Sequence, residues 1–209
     1  MHTQPKSFVR AIQGEVQARP CFWLMRQAGR YLPEYRATRA TAKGFVDLCL
    51  RPDLATEITL QPIRRFGMDA AILFSDILMV PHGLGQKLDF LEGEGPKLDP
   101  IVDEAGVAAL EKNLGGFLEK LGPVFETVDR VKAGLPLDTA LIGFAGAPWT
   151  VATYMVEGGT SKDFAKVRML ACREPVLFEK LIEVLVEATT AYLVRQVEAG
   201  AEALQLFDT

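Results

Sequence analysis

Gly67-Met-Asp-Ala-Ala-Ile-Leu-Phe-Ser-Asp76 encloses an apolar run between a glycine–acid pair and two polar residues. Residues 69–74 predict a short strand that is apolar on both faces, as strands of parallel sheets are when helices cover both sides. The same order of residue types returns, position for position, at Gly200-Ala-Glu-Ala-Leu-Gln-Leu-Phe-Asp-Thr209. Each copy passes from a helix end through a glycine and an acid into an apolar strand, and finishes on polar groups at the strand's C-terminal end. Helix–strand alternation with polar strand tips predicts a parallel α/β architecture, in which ligands meet the carboxyl ends of the strands.

Around these two copies, glycine and proline punctuate helical and strand patterns. A short helix is expected over 7–12, followed by the apolar, strand-like run Cys21-Phe-Trp-Leu-Met25, which reads as buried. Pro52 and Asp53 suit the first turn of a helix running to Phe66, which Pro62 should kink or break and Gly67 should end. Residues 87–98 alternate weakly around Glu92-Gly-Glu-Gly-Pro96 and predict an exposed hairpin or loop excursion. Helices are expected over 104–118 and 123–133, interrupted by Gly115, Gly116 and Gly122, and a second buried strand over 139–145. Further helices are expected over 149–156 and 162–172. The longest spans 175–199, with Glu179, Glu183 and Glu187 on its wet face at i+4 spacing. A last strand covers 202–207. A complete (β/α)8 barrel takes ~250 residues. Residues 1–209 therefore predict one α/β domain that is the N-terminal portion of a (β/α)8 TIM-type barrel, incomplete at its C-terminus.

Composition narrows the functional classes. The net charge of −4 leaves no basic face for phosphate neutralisation, which argues against a nucleic-acid binder. No apolar run approaches the ~18 residues needed to span a bilayer. The first residues, Met1 to Lys6, lack the apolar stretch of a secretory signal. Cys21, Cys49 and Cys172 form no CxxC pair and read as free thiols of a reducing cytoplasm. His2 and His82 are the only histidines, so no zinc or other metal site is expected.

Chemistry concentrates in three places. Arg26-Gln-Ala-Gly-Arg30 follows directly on the apolar run ending at Met25. Guanidinium forks grip carboxylates bidentately and stay charged at any working pH, so Arg26 and Arg30 point to an anionic substrate, a polycarboxylate or a phosphate. Gly29 permits close backbone approach to it. A solvated basic turn is the alternative, and Arg36 and Arg39 are expected on the surface. Asp76, at a strand tip, is either a helix N-cap or loop anchor, or a carboxylate that stabilises a developing cation. In Gly143-Phe-Ala-Gly-Ala-Pro-Trp-Thr150 a strand runs through small residues into a helix that carries Tyr154 and Glu157. The small residues suit tight packing or a ligand. Tyr154 offers a phenol to a carboxylate, or is an ordinary half-buried tyrosine. No GxGxxG or Walker pattern is present.

Trp23-Leu-Met-Arg-Gln-Ala-Gly-Arg-Tyr-Leu-Pro-Glu-Tyr35 and Gly143-Phe-Ala-Gly-Ala-Pro-Trp-Thr150, with Tyr154-Met-Val-Glu-Gly158 beyond, closely resemble the two signatures of the uroporphyrinogen decarboxylase family. Phe74-Ser-Asp-Ile-Leu78 belongs to the same likeness, which runs along the whole chain. The resemblance implies a cytoplasmic, homodimeric carboxy-lyase of porphyrin and haem biosynthesis. It would remove four acetate carboxylates from uroporphyrinogen III to give coproporphyrinogen III, without metal or organic cofactor. It implies catalysis by Asp76 and Arg26. Substrate binding falls to Arg26, Gln27, Ala28, Gly29, Arg30, Asp76, Tyr154 and Thr209. The substrate, a flexible tetrapyrrole with eight carboxylates, explains the need for fixed positive forks. An arginine, with a pKa above ~12, is a poor general acid unless strongly perturbed, so the proton donor stays open. The family also carries a histidine near its C-terminus, for which these residues hold no counterpart.

Two other readings stand beside this one. Related barrels transfer methyl groups with a zinc held by His and Cys, but no His-x-Cys pair occurs here. The second is a non-catalytic half-barrel that binds a tetrapyrrole or a partner.

Overall fold

A computed structural model describes residues 5–25, 27–91, 93 and 95–209. In chain order the elements begin with helices α1 (Ser7–Ile12), α2 (Pro33–Arg39), α3 (Phe45–Cys49) and α4 (Pro52–Phe66). Strand β1 (Ala70–Ile72), helix α5 (Met79–Gly83), strands β2 (Leu88–Leu91) and β3 (Gly95–Leu98), and helices α6 (Glu104–Asn113), α7 (Phe117–Lys120) and α8 (Gly122–Gly134) follow. Strand β4 (Ala140–Gly146), helices α9 (Pro148–Glu157), α10 (Ala165–Arg173) and α11 (Pro175–Glu198), and strand β5 (Ala203–Phe207) complete the order. The architecture is α/β with a parallel sheet. The chain divides into two compact units, one of residues 1–75, 123–144 and 195–205, the other of 76–122, 145–194 and 206–209.

The first unit is organised by the sheet, whose strand order is β1-β4-β5. β1 lies parallel to β4, with Ala70 opposite Ala140 and Ile72 opposite Ile142. Every residue of β4 is buried, as expected of a strand with apolar side chains on both faces. Phe8 of α1 packs with Ala70, Ala140 and Ile142, and Cys21, Trp23 and Ala203 close over them. α4 starts with Pro52 in its first turn, where the missing N–H removes no helical bond, and stops at Gly67 in the left-handed conformation (φ 59°). The two sequence copies adopt the same local structure, since Gly67 and Gly200 both take positive φ three residues before a strand. Their acids are ion-pair anchors. Asp69 takes both terminal nitrogens of Arg19 at 2.7 and 2.8 Å and the N–H of Phe22. Glu202 takes Lys6 and Lys132, each at 2.8 Å, and the N–H of Leu141.

The second unit holds the antiparallel hairpin β2–β3, with Leu88 opposite Leu98. Both of those leucines are buried, so the expected excursion is fastened at its base. The Gln86 amide donates to the carbonyls of Asp99 and Met155, and the N–H of Ile101 reaches the Met155 carbonyl. Gly159 bridges to Lys97, and a Cβ there would sit 2.8 Å from the Pro96 carbonyl oxygen. Glu179, Glu183 and Glu187 are exposed along α11, the face expected to be wet.

Five features differ from expectation. Cys21–Met25 is neither a strand nor buried: Phe22, Leu24 and Met25 are exposed, while Cys21 and Trp23 turn inward. The alternation of an extended chain is kept, but the bonds it makes to a neighbour among the described residues run through Phe22 to Asp69, and that makes no ladder. α4 runs unbroken through Pro62, because buried Ala55, Ile58, Thr59 and Ile63 around it hold the helix by tertiary packing. The helix expected from 162 begins at Ala165, since Ser161 Oγ accepts the Phe164 N–H and Phe164 adopts φ 53°. α2, α3 and α5 are short helices that the pattern of apolar residues does not announce. β5 has Leu204 and Leu206 exposed, so it is less buried than the apolar reading of this stretch implies.

Candidate active site

In the first unit, the segment Gln27–Arg30 lies along β1. Gln27 is only 5% exposed, and its amide donates to the Ala70 carbonyl at 2.9 Å while its Oε1 accepts the Ile72 N–H at 2.8 Å. Gly29 has φ 56°, and its carbonyl accepts the N–H of Leu32 at 2.7 Å. A Cβ at Gly29 would lie 2.6 Å from Leu32 Cδ1, so glycine is required by local geometry whether or not a ligand approaches. Arg30 is exposed, with its guanidinium carbon 5.9 Å from the centre of the Phe45 ring. Phe45 in turn meets Phe74 edge to face, and so does Tyr35. Burial pushes the Tyr35 phenol pKa up, against the pull of Arg30 and Arg39. Arg36 is exposed as expected and Arg39 is half-buried. Arg26 lies outside the described residues.

Thr59 of α4 fastens the chain that follows β1. Its hydroxyl donates to the Ala55 carbonyl at 2.8 Å and accepts the Phe74 N–H at 3.0 Å.

The remaining candidates belong to the second unit. Asp76 is half-buried, and its Oδ1 accepts the N–H of Leu78 at 2.9 Å while its carbonyl takes that of Met79. This is the local anchoring that an aspartate gives a turn, and one carboxylate oxygen carries it. Next to it, a Cβ on Gly146 would lie 3.0 Å from Ile77 Cβ and 2.7 Å from Val151 Cγ2. The small residues of the second motif thus serve close packing. The N–H of Ala147 donates to the Phe207 carbonyl at 2.7 Å, and Thr150 Oγ1 bonds Asp208 Oδ1 at 2.8 Å. Tyr154 is half-buried on α9, and its carbonyl accepts the N–H groups of both Gly158 and Gly159. Thr209 is exposed.

The second unit therefore brings together Ile77, next to Asp76, the turn 146–150, and residues 207–208, next to Thr209. Thr150 and Asp208 are the polar pair that the sequence reading missed. The signal lay in the internal copy, where Asp208 falls opposite Ser75, just ahead of the pair Asp76 and Thr209. Glu157 is occupied elsewhere, accepting the Val167 N–H at 3.0 Å. Among the described residues, no group of three His, Cys, Asp or Glu side chains is placed to hold a metal ion. None of the described helices is long and apolar enough to cross a membrane.

Parallel strands with polar residues gathered just beyond their carboxyl ends define the class of parallel α/β proteins that bind ligands at strand tips. Within that class the chain belongs to the uroporphyrinogen decarboxylase family, whose model, described as Uroporphyrinogen decarboxylase (URO-D), matches residues 3–209. It is 59% identical over 204 residues to the uroporphyrinogen decarboxylase of Rhodospirillum rubrum, covering 98% of this chain and 58% of that protein. The enzyme of the same name from Mesorhizobium japonicum is 56% identical over 207 residues, covering 98% and 60%. The chain thus spans about three fifths of the length of the curated relatives it matches. Among solved structures, a methyltransferase from Methanosarcina mazei superposes with a TM-score of 0.65 over 94% of this chain and 56% of its own. At 17% identity that likeness concerns the fold alone.

Proposed function

We propose that the chain is the N-terminal part of a cytoplasmic, homodimeric uroporphyrinogen decarboxylase, in which residues 1–209 contribute to one (β/α)8 barrel domain. The family match over residues 3–209 carries this reading. Arg26 and Arg30 bind carboxylates of uroporphyrinogen as fixed, permanently charged forks. Ala28 and Gly29 bring the backbone of that segment to the substrate, and Gln27 belongs to the same segment. Asp76, Tyr154 and Thr209 are the further substrate contacts of this reading. The anchored Oδ1 of Asp76 supports its role, because a carboxylate held by a backbone N–H needs little reorganisation when charge develops.

The chemistry asks for little else. Protonation of a pyrrole carbon generates a cation. The electron pair of the bond to CO2 flows into the ring, and a proton returned to the exocyclic carbon with loss of the ring proton completes the methyl group. Asp76 stabilises the cation where it forms, and Arg26 assists catalysis by orienting the departing carboxylate. No cofactor takes part in these steps.

The test is anaerobic incubation with uroporphyrinogen of the chain alone, and of the chain joined to the C-terminal two fifths of the Rhodospirillum rubrum relative. Products are resolved by carboxylate number. Stepwise loss of carboxylates by the joined protein is the expected result. A folded, joined protein that leaves the octacarboxylate unchanged overturns the reading. Binding without turnover by the chain alone assigns the missing step to the added part.

A further inference from the structure

β1 turns alternate peptide groups to opposite sides. The Asp69 carbonyl and the Leu73 N–H bond β4, through Ala140 and Ile142. The Ala70 carbonyl and the Ile72 N–H consequently face away from β4, where a further strand would ordinarily pair with them. Gln27 takes both. Its Nε2 donates to the Ala70 carbonyl at 2.9 Å, and its Oε1 accepts from Ile72 at 2.8 Å. The same Nε2 lies 2.6 Å from Met68 Sδ. One side-chain amide thus replaces the donor–acceptor pair of a neighbouring strand, and the residue is buried, at 5% exposure. Five residues on, Leu32 is 1% exposed and closes a turn onto the Gly29 carbonyl. Exposed Arg30 stands between these two buried anchors.

We infer that Gln27 is a positioning residue, which registers the arginine segment on the edge of β1 and thereby fixes where Arg30 presents its charge; this rests on the reading of that segment as a carboxylate binder. The family resemblance counts Gln27 among the substrate-binding residues. Its amide is committed to β1 instead, so it acts through its neighbours. The physical basis is the cost of stranding a buried peptide donor and acceptor, which makes the register strongly preferred. An arginine fork misplaced by an ångström loses its bidentate fit.

The experiment compares the unaltered chain with Gln27→Leu, Gln27→Glu, Arg30→Ala and Gln196→Leu. The probe is uroporphyrin, the air-stable octacarboxylate, with binding followed by its fluorescence. Amide exchange at Ile72 is read by NMR. Gln27→Leu should expose the Ile72 amide to exchange and weaken uroporphyrin at least tenfold, as Arg30→Ala does. Gln27→Glu keeps the acceptor and loses the donor, so Ile72 should stay protected while affinity falls by a smaller factor. Gln196→Leu, which removes two hydrogen bonds to a different peptide, should lower the melting temperature and leave the affinity unchanged. Full affinity in Gln27→Leu, with Arg30→Ala weakened, overturns the positioning role and leaves the carboxylate reading intact. No weakening in Arg30→Ala, or no binding by the unaltered chain, overturns both. If Gln27→Leu does not fold, Gln27→Glu decides alone: unchanged affinity refutes the inference.

Discussion

Gln196 and Phe144 exchange two hydrogen bonds, each 2.9 Å, between a side-chain amide and a main-chain peptide. Phe144 has the parity of Ala140 and Ile142, whose peptides bond β1, but it lies past the last residue that β1 pairs. The α11 glutamine, fully buried, continues the ladder where the strand has ended. Gly143 makes room for it, since a Cβ there would sit 2.5 Å from Gln196 Oε1. The same device appears on β1 with Gln27, so two glutamines substitute for strand neighbours in the first unit.

Gln196→Leu keeps the volume and removes the two hydrogen bonds that the Gln196 amide exchanges with the Phe144 peptide. A buried donor and acceptor left unsatisfied cost about 1–3 kcal/mol each. Urea denaturation should show a loss of that order. A variant as stable as the parent would mean that water or a rearranged side chain satisfies Phe144.

Glu202 gives the fold a pH dependence of definite sign. Burial pushes its carboxyl pKa up, but the bonds from Lys132 and Lys6 and from the Leu141 N–H outweigh this and hold it below the ordinary 4.5. A carboxyl depressed in the folded state stabilises above its unfolded pKa, and that stability is lost as pH falls through the lower folded value. Melting temperatures measured from pH 7 down to 3 should therefore fall more steeply for the parent than for Glu202→Gln. Parallel curves would remove Glu202 from the acid response.

Gly29→Ala places a side chain at φ 56° and 2.6 Å from Leu32 Cδ1. The left-handed backbone alone costs about 1–2 kcal/mol for an L-residue. Repacking of Leu32 adds to it. Calorimetry should report a destabilisation of at least this size, accompanied by weaker uroporphyrin binding. Reduced stability with unchanged binding would confine Gly29 to a structural part.

Asp76→Asn retains size and the acceptor for the Leu78 N–H but removes the charge. In the protein joined to its relative's C-terminal part, kcat should drop by roughly 10²–10³ while substrate still binds, the usual loss for one well-placed electrostatic stabiliser. Asp76→Glu, displaced by one methylene, should retain more activity than the asparagine variant. Parent-like turnover by Asp76→Asn would reduce the residue to its turn-anchoring role.

Several features of this protein are determined by its sequence alone. The apolar runs at 70–72 and 140–146, short and bounded by glycine and polar residues, suit strands of a covered sheet, and the glycines at 67 and 200 terminate helices because they tolerate positive φ. The paired copies announce both a glycine-to-strand turn and an acid at each strand's start. These signals are local, carried by periodicity and by the freedom of single residues. The family signatures also mark the arginine segment and Asp76 as candidate site residues. Tertiary structure decided what those residues touch. No periodicity shows that Gln27 and Gln196 finish incomplete ladders, that Asp69 and Glu202 gather cations from distant segments, or that Thr150 meets Asp208. Such pairings depend on which peptide groups are left over once the sheet has formed. The run 21–25 illustrates the same limit. Its apolar composition called for burial, but bonded among the described residues to Asp69 through Phe22, the run stays irregular, and Phe22, Leu24 and Met25 face solvent.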